Sequence, residues 1–275
     1  MNAFEALVLG FVQGLTEFLP VSSTAHLRIV PAFAGWHDPG AAFTAVTQLG
    51  TMAAVVVFFR ADLLRISRAF LASLRDPSRR RDTDARLGWM IVLGTIPIGI
   101  FGLAFKHPIE TGARNLTLIG CTLIALGLVL AWAERVGSRD RDLDRLTGRD
   151  GAVIGLAQAA ALIPGVSRSG ATISAGLFLG LDRTAAARYS FLLSVPAVVL
   201  SGLYELKGLV DGSTTGPQPS LAVTALATVV AFVVGYASIA FLLRYLTSHS
   251  TLVFVGYRVA LGAVVLALVA AGAIH

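Results

Sequence analysis

Long apolar runs without a charged side chain alternate with short arginine-rich connections along this chain. Ala41 to Phe59, Leu87 to Phe105, Asn115 to Ala133 and Ser220 to Leu243 carry no Asp, Glu, Lys or Arg. Each comes close to the roughly 20 residues a helix needs to cross a hydrocarbon core. Tyr189 to Tyr204 and Thr251 to Ile274 complete a set of six predicted spans, the last holding one charge, Arg258. Gly and Ala are interspersed in continuous apolar sequence, where a membrane barrel would show short segments of alternating polarity, so the predicted class is all-α integral membrane.

Two stretches fit no simple span. Residues 1–34 are interrupted by Pro20-Val21-Ser22-Ser23-Thr24, and residues 151–181 by Pro164-Gly165-Val166-Ser167-Arg168-Ser169-Gly170. Proline removes a helix donor and pushes the residue before it out of helical geometry. Each limb is too short to cross alone, which predicts two re-entrant helix-loop-helix hairpins. Such backbone survives at membrane depth only when buried in protein or lining a wet cavity. Gly10-Phe-Val-Gln13 stands nine residues before Ser22 and Gly155-Leu-Ala-Gln158 nine before Ser167, measured from the glutamines. One membrane domain, residues 1–275, is therefore expected to hold a first repeat over about 1–133, a connection over about 134–150 and a second repeat over about 151–275. Each repeat is a hairpin plus three transmembrane helices; three is odd, so the copies are inverted. Inverted repeats with broken helices place their site where the breaks meet, so Ser22 to His26 is expected to face Ser167 to Thr172.

Charge sets the orientation. The chain is 55% hydrophobic and 14% charged with a net charge of +6, too little charge to cover a water-facing surface. Its arginines gather in residues 60–86 and 135–149, which the positive-inside rule places in the cytoplasm. The turn Lys106 to Arg114 and the connection Lys207 to Pro219 then lie outside with both termini. Clustering in short connections, rather than along one helix face, argues against nucleic acid. No Lys or Arg precedes Arg28, so no cleavable signal is expected. A single cysteine, Cys121, excludes an intramolecular disulfide.

The two breaks together hold Glu17, His26, Arg168 and six hydroxyls, those of Ser22, Ser23, Thr24, Ser167, Ser169 and Thr172. A charge at bilayer depth costs about 2.5–3.5 kcal/mol on insertion scales, which makes function its default explanation. A pair that only pinned the hairpins together would not need the flanking hydroxyls. Arg168 offers a planar fork of donors to phosphate oxygens, while Gly165 and Gly170 let a ligand approach the main chain. The other break supplies a hydroxyl nucleophile, an imidazole and a carboxylate able to hold a hard cation. The reading is phosphoryl transfer inside a membrane. Arg258, about 10 Å into its span by helical rise, is expected to snorkel to the interface.

Gln13-Gly-Leu-Thr-Glu17-Phe-Leu-Pro-Val-Ser-Ser-Thr-Ala-His26 and Pro164-Gly-Val-Ser-Arg-Ser-Gly-Ala-Thr172 resemble the two signature motifs of the bacterial undecaprenyl-diphosphatases, or bacitracin resistance proteins. The likeness extends to Gly256-Tyr257-Arg258 and covers essentially the whole chain. It implies removal of the terminal phosphate of undecaprenyl diphosphate, recycling the lipid carrier for peptidoglycan synthesis, in a bacterial inner membrane at a site open to the periplasm or outer face. It also implies Glu17 as the essential acid, Ser23 as nucleophile, His26 as nucleophile or acid–base group, and Arg168 as the cation on the transferring phosphate. Gln13, Ser22, Thr24, Gly165, Ser167, Ser169, Gly170 and Thr172 are then expected to bind substrate. A Mg²⁺ or Ca²⁺ ion is expected on Glu17 and the lipid's diphosphate oxygens. Ala25 stands where the pattern has Gly. A transporter or flippase of the polyprenyl phosphate is the rival reading, because inverted repeats with broken helices are also a transporter's architecture. Membrane lipids are expected partners, and the sequence leaves open a homo-oligomer.

Overall fold

The computed structural model describes residues 1–105, 115–210 and 220–274, all helix and connection. The predicted outer turn at residues 106–114 lies outside the described residues, as does the 211–219 part of the predicted connection that follows Lys207.

Six long helices match the six predicted spans: α3 (Gly40–Phe58), α5 (Thr83–Ala104), α6 (Leu116–Val136), α9 (Arg183–Val210), α10 (Leu221–Leu246) and α11 (Leu252–Ala270). The preceding helices α1 (Ala3–Phe18) and α2 (Ser23–Ala34) form the first broken pair; α4 (Arg60–Arg75) follows α3. The second broken pair is α7 (Gly148–Ala159) and α8 (Arg168–Phe178). Helices α5 and α9 start earlier than their apolar runs because good helix formers, Ala85, Arg86 and Ala185 to Ala187 among them, carry the helix on toward the polar boundary. At 16, 12, 12 and 11 residues the hairpin limbs are too short to span. Capping boxes start α1 (Asn2 with Glu5) and α7 (Thr147 with Asp150), so both first limbs have fixed entry points.

Helix α4 is a departure from the loop expected at residues 60–86. It turns by 79° from α3 and exposes Leu64, Leu71 and Leu74 beside Arg60, Arg68 and Arg75, a mixture suited to the headgroup level. Ion pairs gather both arginine-rich connections on one face. Arg188 at the start of α9 reaches Asp62 of α4 at 3.0 Å, and Asp62 also pairs with Arg65, which holds Asp84 of α5. Buried Glu134 at the end of α6 accepts from Arg183 and Arg139 and from the backbone and hydroxyl of Thr251 at the start of α11. Arg141 joins Asp150 of α7 to the carbonyl of Leu179.

The two hairpins enter from opposite faces. Helix α1 packs on α10 with Gly10 against Ala227 and Gly14 against Ala231, and α7 packs on α5 with Gly151 against Met90 and Gly155 against Gly94; both contacts are parallel. Since α5 starts at the arginine-rich face and α10 ends there, the limbs run in opposite senses. A methyl on Gly10 would sit 2.5 Å from the Ala227 carbonyl and one on Gly155 2.6 Å from Gly94 Cα. Small residues thus let these backbones meet, as packing within a bilayer requires.

Where the breaks meet, Arg258 overturns the expectation that it snorkels. Its side chain is fully buried. Its Nη1 donates to the carbonyl of Pro20 at 3.0 Å, its Nη2 to those of Gly165 at 3.0 Å and Val166 at 3.1 Å, and its Nε to Leu123 at 3.2 Å. The carbonyls freed by both prolines attract the guanidinium more strongly than a distant interface. Arg258→Met should therefore lower stability by at least about 3 kcal/mol, since each buried acceptor left unpaired costs about 1–3 kcal/mol. Arg258→Lys should recover only part of this. Thermal unfolding in detergent checks it, and an unshifted midpoint for the methionine variant would refute the role.

Candidate active site

Each break turns on a serine in a conformation L-residues avoid. Ser22 has φ 75° and Ser167 φ 70°, a strain of about 1–3 kcal/mol apiece. Each then caps the next helix: Ser22 Oγ accepts from the Ala25 N–H at 3.4 Å and Ser167 Oγ from the Gly170 N–H at 3.1 Å. The first-turn N–H groups of α2 and α8 precede the helical hydrogen-bond ladder, and both helix starts border one cavity of about 520 Å³.

Glu17, Ser22, Ser23, Thr24, Gln48, Thr95, Gly165, Ser167 and Arg168 form the polar wall of that cavity. Its apolar wall comes from Thr95 onward in α5 and Ala197 onward in α9, the halves of those helices away from the arginine-rich face. Exposed Leu103 and Leu200 form an open lip.

Glu17 is the centre of the polar wall. One carboxylate oxygen accepts from Ser23 Oγ at 2.6 Å and Gln13 Nε2 at 3.0 Å; the other accepts from Arg168 Nη2 at 2.6 Å and Gln48 Nε2 at 2.7 Å. Four donors thus converge on the two oxygens of this buried carboxylate. Ser23 is paired with a carboxylate, an arrangement that can activate a hydroxyl as a nucleophile. Arg168 Nη1 is buried and has no partner among the described residues. A dry cationic donor beside a serine–carboxylate pair and two helix starts is a site for an anion that the serine can attack.

The predicted residues sort into three groups. Glu17, Ser22, Ser23, Thr24, Gly165, Ser167 and Arg168 line the cavity. Gln13, Ser169, Gly170 and Thr172 stand behind it: fully buried Gln13 holds Glu17, Ser169 Oγ donates to the Leu19 carbonyl at 3.1 Å, Gly170 lies against Arg258, and Thr172 meets Ser190 of α9 at 2.6 Å. His26 is turned away, with Nδ1 donating to the Ser22 carbonyl at 2.7 Å and Nε2 accepting from the Tyr257 hydroxyl at 2.7 Å. Ala25 seats its methyl in an apolar cluster with Ile29, Ile119 and Leu123, so the turn is made without glycine there. Gln48 and Tyr257 were missed. An amide in a charge-free span was the available signal for Gln48; Tyr257 gave none beyond its place next to Arg258.

The donor set does not form a cation cage. Among the described residues Glu17 is the only carboxylate on the wall, and its oxygens are occupied by four donors, one of them Arg168. Among the described residues no three His, Cys, Asp or Glu side chains cluster.

The model of the family described as "Bacitracin resistance protein BacA" matches residues 6–264. An undecaprenyl-diphosphatase of Nocardioides is 57% identical, with 100% of this chain and 99% of that protein aligned. "Undecaprenyl-diphosphatase 3" of Frankia alni is 56% identical over 100% of this chain and 97% of its own length. The undecaprenyl-diphosphatase of Mycolicibacterium smegmatis is 54% identical over 99% and 98%.

Glu17→Leu alone should destabilise by about 3–5 kcal/mol because it leaves Arg168 buried and unpaired. Adding Arg168→Leu should recover most of that loss. A double-mutant cycle on thermal unfolding checks this; additive losses would show that the two groups do not interact.

Proposed function

The chain belongs to the bacitracin resistance protein BacA family, and from that premise we propose that Ser23 carries the dephosphorylation of undecaprenyl diphosphate, with Glu17 as its base. The protein is a multi-pass membrane enzyme, an undecaprenyl-diphosphatase. It releases undecaprenyl phosphate and inorganic phosphate and so recycles the lipid carrier for cell-wall synthesis. The observation that carries the assignment of roles is the 2.6 Å hydrogen bond from Ser23 to Glu17, whose other oxygen holds Arg168.

Ser23 Oγ attacks the terminal phosphorus and the bond from that phosphorus to the bridging oxygen breaks. Undecaprenyl phosphate leaves, and the serine proton passes to Glu17. Water then attacks the phosphoserine, the bond from phosphorus to Ser23 Oγ breaks, Glu17 returns its proton to that oxygen, and inorganic phosphate leaves carrying the protons of the attacking water. Arg168 keeps Nη2 on Glu17 and offers Nη1 to the phosphate oxygens as charge develops there. Thr24, Ser167 and the first-turn N–H groups of α2 and α8 complete the cradle. Gln13 and Gln48 orient Glu17, Thr172 ties α8 to α9, and His26 shapes the first break through the Ser22 carbonyl. The prenyl chain leaves over Leu103 and Leu200 into the bilayer.

A divalent cation enters as part of the substrate, chelated by the diphosphate, because Glu17 alone makes a poor resident site. The arginine-rich face is cytoplasmic by the positive-inside rule. The cavity, on the far halves of α5 and α9, then opens outward in the inner membrane, with both termini at the same outer face.

Ser23→Ala and Glu17→Gln should each abolish phosphate release from a C55 diphosphate in detergent, and Arg168→Lys should reduce kcat by about 10²–10³-fold, as loss of an aimed donor does. Mass spectrometry of enzyme quenched during turnover should find phosphate on Ser23. Phosphate on His26, or none on the protein, would refute the nucleophile. Added Mg²⁺ or Ca²⁺ should raise activity without binding the substrate-free enzyme; stoichiometric calcium retained at equilibrium dialysis would overturn the chelate reading.

A further inference from the structure

A second cavity, of about 580 Å³, lies on the opposite side of α5 from the active site, between α5 and α7. Its lining runs from charge to oil: Arg80, in the turn just before α5, and Arg86 at the arginine-rich end, then Trp89, and finally Leu93, Pro97 and, from α7, Leu156. From Arg86 to Pro97 the helix rises about 16 Å, a distance that carries a ligand from headgroup level into the hydrocarbon. Leu93 and Leu156 are 54% and 56% exposed, so the apolar end opens sideways to the bilayer.

The charged end is prepared but not neutralised. Neither Arg80 nor Arg86 pairs with a carboxylate among the described residues, whereas neighbouring Arg65, Arg79 and Arg141 do. Arg80 is held over the ring of Trp89, 5.7 Å from its centroid, and that ring is fixed by its own N–H to Ser73 Oγ at 3.0 Å. Arg86 is anchored by one nitrogen to the Leu146 carbonyl. Two oriented guanidinium groups above an apolar slot match a phosphate with an acyl chain below it.

We propose that this cavity binds an anionic diacyl phospholipid of the leaflet at the arginine-rich face, its phosphate between Arg80 and Arg86 and one acyl chain along Leu93, Pro97 and Leu156. The lipid fills the space between the first limb of the second hairpin and α5. The site stands apart from the diphosphatase reaction and does not depend on it.

Delipidated protein titrated with phosphatidylglycerol or with phosphatidylcholine of the same chains, and read by native mass spectrometry, tests the site. The wild type should retain one phosphatidylglycerol in preference to phosphatidylcholine. Arg80→Gln with Arg86→Gln should weaken that retention about tenfold or more, each arginine near a lipid surface contributing about 1 kcal/mol. Leu93→Trp, which keeps both charges and fills the slot, should weaken it too, and guards against a double variant that misfolds. Phosphate release from a soluble short-chain diphosphate should stay at the wild-type rate in both. Equal retention of the two lipids, or retention unchanged in both variants, would overturn the proposal. Displacement of phosphatidylglycerol by an equal amount of undecaprenyl phosphate would reassign the slot to a polyprenyl phosphate. The lipid readout stands whether or not the enzyme turns over, so its failure and that of the Ser23 mechanism are separable.

Discussion

A carbonyl oxygen released from a helix inside a bilayer finds no water, and each one left unpaired costs about 1–3 kcal/mol. Pro20 and Pro164 release several at the same place, and the surrounding helices are arranged to receive them. The Leu19 carbonyl accepts from Ser169, Pro20 from Arg258, Ser22 from the ring and backbone of His26, Pro164 from Thr122, and Gly165 and Val166 from Arg258. Arg258 therefore needs no carboxylate partner. Its charge is spread over carbonyl dipoles from both breaks and from α6, and those dipoles in turn fix where the breaks can sit. Because α11 supplies the cation and α6 some of its acceptors, the last helix in each half locks the two hairpins together.

The same breaks create the chemistry. Interrupting a helix exposes the N–H groups of the next one, and here two interrupted helices point their starts at one cavity. The positive φ of Ser22 and of Ser167 is the strained turn that lets each chain reverse within a few residues. A relaxed turn would be longer and would separate Glu17 from Ser23, which lie six positions apart yet hydrogen-bond at 2.6 Å. The strain persists because the carbonyls around it are over-determined. Stability and site geometry thus draw on one set of contacts, so the donors that hold the breaks also keep Ser23, Glu17 and Arg168 in register before any ligand arrives.

How much of this could be read from the amino acids depended on whether the deciding force was local. The spans were legible because absence of charge over a membrane's thickness is a one-dimensional signal, and the breaks were legible because proline acts on its own neighbours. The pairing of Glu17 with Arg168 followed from the cost of leaving either charge alone in oil. Helix α4 was missed because its arginines read as a loop, although Leu64, Leu71 and Leu74 return at helical spacing. Arg258 was assigned to the interface because its acceptors lie 93 and 238 positions away in sequence, and a free carbonyl leaves no mark in the sequence. His26 was expected at the reacting atoms on its chemistry and on the family motif; its ring bonds to Ser22 and Tyr257, and Tyr257 is a partner that only the fold brings within reach.

The two halves are alike in plan and unlike in charge, and one buried amide shows why. Gln158 occupies in the second hairpin the place that Gln13 occupies in the first. Gln13 donates to Glu17 four residues on; four residues after Gln158 stands Leu162, and neither amide atom of Gln158 has a partner among the described residues. Leu162 borders the same cavity as Glu17. A carboxylate there would give the amide its acceptor and would also place a second negative charge in a pocket that has to admit a diphosphate, with Arg168 left to balance everything. Two carboxylates sharing a dry site repel one another and any anion between them. An unsatisfied amide costs less than that repulsion. The first half therefore carries the carboxylate and the hydroxyl bonded to it, the second carries the cation at the position matching Ser23, and Gln158, unpartnered among the described residues, is the local cost of keeping the site attractive to an anion.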